Sequence, residues 1–398
     1  MKSKILFYLI LITFFALLIP AMHAQTFSVI HAFSSVDGAN PYAGVTIRGN
    51  SLYGTTTSGT AYQLTHSGAN WLFSDIALFG VNSWPRARVV FGPDGHLYGT
   101  TSESGPYNCG KVFKLTPQVG PCKDLRCFWT VNDLHDFGSG TDGAGPTYGD
   151  ITWDQQGNIY NTTEGGGVYG YGAVYELTPS GNGYTESVIH SFSEDPDGAT
   201  PENGLVLDNK GNLFGTTVQG GVNDQGLIFE LSYAKGVGWT EKALYSFQNA
   251  SDGEWPNGGL MFDSSSGNLY GTTYDGGSGS GGTVFELSPS GDTWTFQLLY
   301  SISGPNGCGP AATVSMDGAG NLYGTTICGG INGMGSVFKL SNTQNGWVYT
   351  SLYDFTGGTD GYSPFSNVAI GTDGTLYGTT AFGGDPESNG GVVWMIKP

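Results

Sequence analysis

The sequence has 398 residues, a formal net charge of −19 and only 12% charged residues, with 67 glycines and 18 prolines. Because so acidic a chain repels the phosphates of nucleic acids and of anionic lipid surfaces, both are excluded as partners. Scattered glycine and proline would indicate low complexity, but here these residues recur at fixed offsets between apolar segments.

The first 24 residues predict a secretory signal peptide. Lys2 and Lys4 precede an apolar run from Ile5 to Ile19, and Ala24 ends a candidate cleavage site. The run is shorter than the ~18–20 apolar residues of a spanning helix, which favours cleavage over an uncleaved anchor. We therefore expect residues 25–398 to form a secreted, extracellular or periplasmic monomer, with no membrane insertion after cleavage.

A Leu-Tyr-Gly-Thr-Thr motif recurs through the rest of the chain, most copies lying roughly 53 residues apart, which is the mark of a repeat architecture. The aromatic position of the motif is occupied by Tyr53, Tyr98, Tyr160, Phe214, Tyr270, Tyr323 and Tyr377. Short apolar segments separated by Gly, Pro, Asn and Asp predict four strands per repeat. In the fourth repeat these segments are residues 204–207, 213–217, 227–231 and 239–247.

The two ends of the chain predict how the repeats are arranged. Residues 26–33 match the fourth strand of a repeat, whereas the last repeat stops after its third strand at Ile396. Pairing of these two strands would close a ring and remove exposed sheet edges. The sequence therefore predicts an all-β, seven-bladed β-propeller with four antiparallel strands per blade, in which the N-terminal strand completes the last blade.

Within each repeat, Asp-Gly-x-x-Pro precedes Gly-Asn-Leu-Tyr-Gly-Thr-Thr, Gly-Gly and Gly-x-Val-Phe-Glu-Leu. This composite motif, over residues 26–396, resembles the GloVer tandem repeat. Departures are Asn161 after the aromatic residue, a missing Asp-Gly at residues 81–85, and Asn306-Gly307 in the sixth repeat. The resemblance implies exported bacterial proteins that differ in how, or whether, they are anchored at the C-terminus. It implies fold and location, but no biochemical activity.

Two sets of aspartates recur with the repeats. One set precedes the motif in the hairpin turns, where Asp bonds the backbone two residues on: Asp94, Asp154, Asp208, Asp263, Asp317 and Asp373. Calcium in each turn is the alternative, but one carboxylate supplies too few of the six or more oxygens that calcium needs. We expect no other cofactor.

The second set lies in the loops that lead into the innermost strands: Asp37, Asp142, Asp197, Asp252 and Asp360. These loops and the Gly-Gly loops are expected on one face, together with Trp84 and Trp255. Carboxylates beside exposed aromatic rings suit a carbohydrate or a cation. Turn chemistry repeated by duplication is the alternative for any single aspartate, and it is favoured.

The histidines do not form a catalytic pattern. His31, His135 and His190 share a fourth-strand position with Tyr245, Tyr300 and Tyr353, which indicates packing or a strand-face hydrogen bond. No Ser or Cys has the spacing of a nucleophile motif. The sequence also shows no unique residue that breaks the repeat symmetry on the innermost strands, as a single active site would require.

Five cysteines are present, so at least one is left over from pairing within the chain. Cys308 and Cys328 fall on the same face of the sixth repeat, which predicts a disulfide between them. Cys122 and Cys127 close a short loop within an insertion, leaving Cys109 unpaired, although Cys109 pairing with either of them stays open.

These observations support two hypotheses. In the first, the protein is a non-enzymatic binding or interaction module that holds a carbohydrate or another protein at the loop face. In the second, it is a metal-assisted hydrolase or lyase acting on polysaccharides or lactones in the channel of the propeller. The second needs several carboxylates or histidines that converge on the axis.

Overall fold

The computed structural model describes residues 25–80, 82–118, 127–138, 140–181, 183–248 and 250–397. The predicted signal peptide and Cys122 lie outside these ranges. None of the described segments forms a helix with the length and apolar character needed to cross a membrane.

The described chain is built of short strands, which follow the four-strand pattern of each repeat. In chain order the strands up to the end of the third repeat are β1 Thr26–Ala32, β2 Thr46–Arg48, β3 Ser51–Thr56, β4 Thr60–Ser67, β5 Asn70–Leu78, β6 Val90–Phe91, β7 Leu97–Thr101, β8 Lys111–Thr116, β9 Thr130–Asp136, β10 Thr152–Trp153, β11 Ile159–Thr163, β12 Ala173–Ser180 and β13 Gly183–Ser191.

The remaining four repeats continue the pattern, and a 3₁₀ helix, Gly304–Asn306, precedes the sixth blade. Their strands are β14 Val206–Leu207, β15 Leu213–Thr217, β16 Leu227–Ala234, β17 Gly238–Ser246, β18 Met261–Phe262, β19 Leu269–Thr273, β20 Thr283–Ser290, β21 Thr293–Ser301, β22 Ser315–Met316, β23 Leu322–Thr326, β24 Ser336–Thr343, β25 Gly346–Asp354, β26 Ala369–Ile370, β27 Leu376–Thr380 and β28 Val392–Lys397.

These strands form seven four-stranded antiparallel sheets, the blades of a propeller. Blades one to six contain β2–β5, β6–β9, β10–β13, β14–β17, β18–β21 and β22–β25. Blade seven has the order β1-β28-β27-β26, so the N-terminal strand is its outermost strand. The pairing runs from Thr26 opposite Lys397 to Ala32 opposite Val392. The predicted seven-bladed fold and its closure are confirmed.

The apolar core is divided among the interfaces between adjacent blades, and each of the seven interfaces has its own cluster. Between blades four and five, Phe214, Phe247 and Phe285 are almost wholly buried. Burial of such a side chain contributes roughly 1.5–3 kcal/mol. A chain of this length therefore folds around many small cores instead of one large core.

The glycine of the repeated motif permits close contact with an aromatic ring on the third strand. A Cβ at Gly271 would lie 2.5 Å from Phe285, and one at Gly378 would lie 2.3 Å from Trp394. Asn161 replaces this glycine in the third repeat, where its amide donates to the carbonyl of Gly149 at 2.8 Å. The strand β11 is thus kept although Asn161 is larger than glycine, because the amide of Asn161 is hydrogen-bonded inside the blade.

Candidate functional site

One face of the propeller carries the loops that precede each innermost strand and the loops between the second and third strands. The two sets of loops pair through short bridges, including Ala199 with Gln219 and Glu254 with Asp275. Their position on one face follows from the antiparallel order of the strands, as expected from the sequence. We call this surface the loop face.

In blade six the equivalent bridge between these two loops joins Cys308 and Cys328. The two cysteines form a disulfide with a Cα–Cα distance of 5.0 Å. This is the pair predicted from the sequence. Cys127 is also disulfide-bonded, but its predicted partner Cys122 lies outside the described residues. Cys109 has a free thiol, 3.4 Å from the carbonyl of Tyr107.

The loop aspartates are hydrogen-bonded within their own loops. Each accepts a hydrogen bond from a backbone N–H of its own loop: Ser34 to Asp37, Gly138 to Asp142, Ser193 to Asp197, Gln248 to Asp252, and Thr356 to Asp360. Four also accept one from the strand-four residue of the same connection: His135 to Asp142, His190 to Asp197, Tyr245 to Asp252, and Tyr353 to Asp360. At the fifth, His31 Nε2 lies 3.0 Å from Asp37 Oδ2. The His or Tyr at this fourth-strand position therefore makes the strand-face hydrogen bond that was expected from the sequence.

At Asp197 these hydrogen bonds favour the ionised carboxylate. Burial by itself would raise the pKa of this carboxyl, but hydrogen bonds from His190 and Ser193 outweigh burial and lower the pKa. Each of these aspartates lies in a different blade connection, and the structure does not bring the five together around one ligand. A direct role of Asp37, Asp142, Asp197, Asp252 and Asp360 in ligand binding stays a prediction.

The turn aspartates lie between the first and second strands, at the opposite face. Each accepts a hydrogen bond from the backbone N–H two residues on, made by His96, Gln156, Lys210, Ser265, Ala319 and Thr375 in turn. The turn interpretation from the sequence matches this geometry, since each carboxylate holds the tight hairpin that starts β7, β11, β15, β19, β23 or β27.

The innermost strands surround a central cavity of about 1070 Å³, which we call the channel. It is lined by a ring of residues two positions before the start of each innermost strand: Gly44, Arg88, Asp150, Gly204, Gly259, Thr313 and Asn367. Arg88 and Asp150 are the charged members of this ring. The Arg88 guanidinium donates from Nη2 at 2.5 Å and from Nε at 3.0 Å to Asp150 Oδ2.

A second ring lies two residues earlier in each repeat, towards the loop face. Its members are Tyr42, Arg86, Tyr148, Glu202, Asn257, Ala311 and Phe365. These residues break the repeat symmetry just before the innermost strands, a position that the expectation about the strands themselves did not cover. The signal was present in the sequence, because these residues are found by aligning the repeats at the start of each innermost strand.

The charged part of this second ring, which surrounds the mouth of the channel, is partly buried. Burial raises the pKa of Glu202 to about 7, with the charge of Glu164 adding to the effect and Arg86 opposing it. The Arg86 guanidinium lies 4.6 Å from the ring of Trp84 and 5.7 Å from the ring of Tyr148. The loops that lead into blades two to four thus bring together a guanidinium, two aromatic rings and a carboxyl group whose pKa is about 7.

A smaller pocket of about 400 Å³ opens beside this mouth, and we call it the blade-one pocket. It is lined by Asn40, Tyr42, Thr57, Ser58, Asn82, Trp84, Arg86 and Phe382. The loop between the second and third strands of blade one is only residues 57–59, whereas the other blades carry a longer Gly-Gly loop or its equivalent. The short loop leaves space on the loop face that the longer loops occupy elsewhere. Tyr42 and Arg86 line both the pocket and the channel.

Trp84 is held in the pocket by an uncommon backbone conformation. It has φ 50°, and Trp255, at the corresponding position in blade five, has φ 56°. The carbonyl of each accepts a hydrogen bond from the chain after the second strand, at Ser102 and Tyr274. The residue before the proline of this loop also has positive φ at Asn40, Thr200 and Ser363, so the conformation belongs to the repeated loop. At Trp84 and Trp255 the loop imposes it on a bulky side chain, which is a conformational outlier. Both rings are over one-third exposed, and Trp84 lines the pocket while Trp255 does not.

The fold and this site define a seven-bladed β-propeller with an asymmetric pocket on its loop face. The chain belongs to the Gloeobacter/Verrucomicrobia repeat family, whose sequence model matches residues 85–297 and 238–398. No curated protein is similar to it in sequence.

Solved structures of similar shape include two extracellular domains from B. thetaiotaomicron. One, assigned to a hybrid two component system, is 13% identical over 94% of this chain and 41% of that chain, with a TM-score of 0.55. The other, assigned to a one component system, is 10% identical, and the match covers 93% of this chain and 40% of that chain with a TM-score of 0.56. A structure assigned as a 6-phosphogluconolactonase from Bacteroides fragilis is 14% identical, and the match covers 90% of this chain and 88% of that chain with a TM-score of 0.48. At these identities the similarity shows the fold alone.

Proposed function

We propose that this protein is an exported, non-enzymatic binding module, and that its ligand is a carbohydrate held in the blade-one pocket and the adjoining channel mouth. The observation that carries the proposal is the pocket opened by the short loop of blade one. Its lining combines the aromatic side chains of Tyr42, Trp84 and Phe382 with polar residues such as Asn40 and Asn82.

The chemistry of this lining suits a sugar. Ligand sites combine apolar and aromatic surface with a few convergent polar groups. The electron-rich face of an aromatic ring stacks on the C–H groups of a sugar ring, and amide and hydroxyl side chains such as Asn82 and Ser58 bond its hydroxyls. Arg86 extends the same surface to the channel, where Tyr148 offers a further ring.

Export is supported by two observations. The protein contains a disulfide between Cys308 and Cys328, and disulfides persist in oxidising compartments. Two solved structures of similar fold, with TM-scores of 0.55 and 0.56, are extracellular domains. Both agree with the signal peptide that the first 24 residues predict.

The alternative, a metal-assisted hydrolase or lyase, needs metal ligands that converge on the channel. Within the described part of the chain, the one group of three side chains close enough to share an ion is His135, Asp142 and Glu186. None of the three lines the channel. The observations therefore favour binding over metal-assisted catalysis as the function of this face.

The test is a titration of the purified protein with a panel of soluble polysaccharides and their oligosaccharides, followed by calorimetry. We expect at least one glycan to bind saturably and to raise the thermal midpoint. Trp84→Asn removes the pocket ring and installs the residue that blade one uses at Asn40, so it should abolish binding in a folded protein. The matched control, Trp255→Asn, should bind as wild type. Absence of binding to the whole panel, or equal binding by Trp84→Asn, would overturn the carbohydrate proposal.

A further inference from the structure

Neighbouring blades stack a ring from one fourth strand on a ring from the next. Ring centroids lie 4.1 Å apart for Tyr245 and Phe296, 5.0 Å for Tyr300 and Tyr349, and 3.7 Å for Tyr353 and Phe27. Across the closing interface His31 stacks in the same way on Phe73, at 4.3 Å. The outer part of these interfaces is therefore held by aromatic packing.

At the interface between blades two and three, Glu186 stands where blades one, five, six and seven place this second ring. His135, on β9, occupies the first position, and its Nε2 lies 3.1 Å from Asp142 Oδ1. One ligand atom each from His135, Asp142 and Glu186 lies within 4.8 Å of the other two. The three residues come from two blades and the loop that joins them.

Glu186 has an environment that is unfavourable for an isolated carboxylate. Its Oε1 is buried and has no hydrogen-bond partner among the described residues. A buried, unpaired carboxylate oxygen is costly unless a cation or a donor compensates it. Here that oxygen lies beside a second carboxylate and an imidazole.

We propose that His135, Asp142 and Glu186 bind one Zn²⁺ ion between blades two and three. One imidazole nitrogen and two carboxylate oxygens are donors that zinc accepts at about 2.0–2.2 Å, whereas calcium and magnesium bind through oxygen alone. Atoms within 4.8 Å of one another can close on an ion at these distances with small side-chain movements. The side chains of His135 and Asp142 are 21% and 24% exposed, which gives the ion a path from solvent and leaves room for a water ligand.

The next interface provides an internal comparison. Between blades three and four the corresponding residues are His190, Asp197 and Glu241, with a His190 to Asp197 distance of 3.1 Å. The Oε1 of Glu241 is likewise buried without a partner in the described structure. Among the described residues, however, ligand atoms within 4.8 Å of one another occur as a group of three only at His135, Asp142 and Glu186. We therefore expect one ion per chain.

The experiment uses the purified protein without an affinity tag, stripped with EDTA, dialysed and titrated with ZnCl₂ in a calorimeter. The double variant His135→Tyr with Glu186→Phe removes two ligands and installs the pair that Tyr245 and Phe296 form, so the interface can pack as in blades four and five. The matched control is His190→Tyr with Glu241→Phe. The expected result is one equivalent of Zn²⁺ bound by the wild type and by the control variant.

For the His135→Tyr, Glu186→Phe variant, the loss of affinity should exceed the 10–100-fold that changes outside the ligand set typically cause. Its thermal midpoint should also stop responding to zinc, while the midpoint of wild type rises. The proposal is overturned if wild type shows no saturable zinc binding, or if this variant binds zinc as tightly as wild type. Loss of binding only in the His190→Tyr, Glu241→Phe variant would also overturn it, since the ion would then lie at the other interface.

Discussion

Thr379 donates its hydroxyl hydrogen to the carbonyl of Ala43 at 3.0 Å, joining residues 336 positions apart in the chain. Thr379 belongs to the second strand of blade seven, and Ala43 leads into the innermost strand of blade one. The same threonine of the motif makes the same bond between other blades, including Thr272 to Ala312 and Thr325 to Ser366. The first threonine of Leu-Tyr-Gly-Thr-Thr therefore links each such blade to the next around the axis.

This bond should be measurable in the free energy of unfolding. Thr379→Val leaves the buried carbonyl of Ala43 without this donor, so we expect a loss of about 1–3 kcal/mol in urea denaturation. Thr100→Val is the matched control, because Thr100 is equally buried but its hydroxyl has no hydrogen-bond partner in the described structure. The control should be neutral or slightly stabilising. Equal losses in both variants would show that the hydroxyl bond contributes nothing beyond packing.

Stability should depend on pH through Glu202. Burial raises its folded-state pKa to about 7, above the ordinary value of 4.5. Between these two values the folded protein keeps a proton that the unfolded chain releases, so the free energy of unfolding falls as the pH rises through this window.

Glu202→Gln should remove this contribution. Its thermal midpoint should exceed that of wild type at pH 8 and match it near pH 4, where Glu202 is protonated in both states. Exposed Glu387→Gln serves as the control and should follow the wild-type profile. If Glu202→Gln has the same midpoint difference between pH 4 and pH 8 as wild type, Glu202 does not hold the extra proton.

The disulfide of blade six should stabilise the loop face. Cys308 and Cys328 are separated by 20 residues, and closing a loop of this order is worth about 3 kcal/mol in the chain-entropy model. We expect Cys308→Ala with Cys328→Gln, which copies the bridge of Ala199 and Gln219, to lose roughly that amount in urea. Cys109→Ser alters a free thiol and should leave the midpoint unchanged. A double variant as stable as wild type would contradict this expectation.

The left-handed backbone at Trp84 should cost stability. A bulky residue in this region costs of order 1–3 kcal/mol, and asparagine tolerates it better. Trp84→Asn should therefore unfold at a higher denaturant concentration than Trp84→Phe, which keeps a large ring under the same strain. Some of the gain will be offset by the lost contact with Arg86, worth about 0.5–1 kcal/mol at an exposed site. If Trp84→Phe is the more stable of the two, relief of strain is not the dominant effect.

The fold could be predicted from the sequence because its information is local and repeated. Alternating apolar segments, turn aspartates such as Asp208 and the recurrent motif around Tyr270 each specify strands and hairpins within a few residues. The unmatched strand from Thr26 to Ala32 was sufficient to predict closure, since four strands per blade leave it only one place to pair. The binding roles of Trp84 and of the loop aspartates stay predictions: Trp84 lines the pocket, and the loop aspartates bond to their own blade connections.

Three features were decided by the tertiary structure alone. Arg88 and Asp150 meet in the lining of the channel, Phe382 and Trp84 line the same pocket, and Glu186 reaches the His135–Asp142 pair. In each case the partners belong to different repeats, so no pattern within one repeat connects them. The sequence by itself determined the blade, because hydrogen bonds and turns within a blade act over short separations. Which side chains meet at the axis and between blades was determined by the packing of blades around the ring, since that packing places residues of different repeats within contact distance.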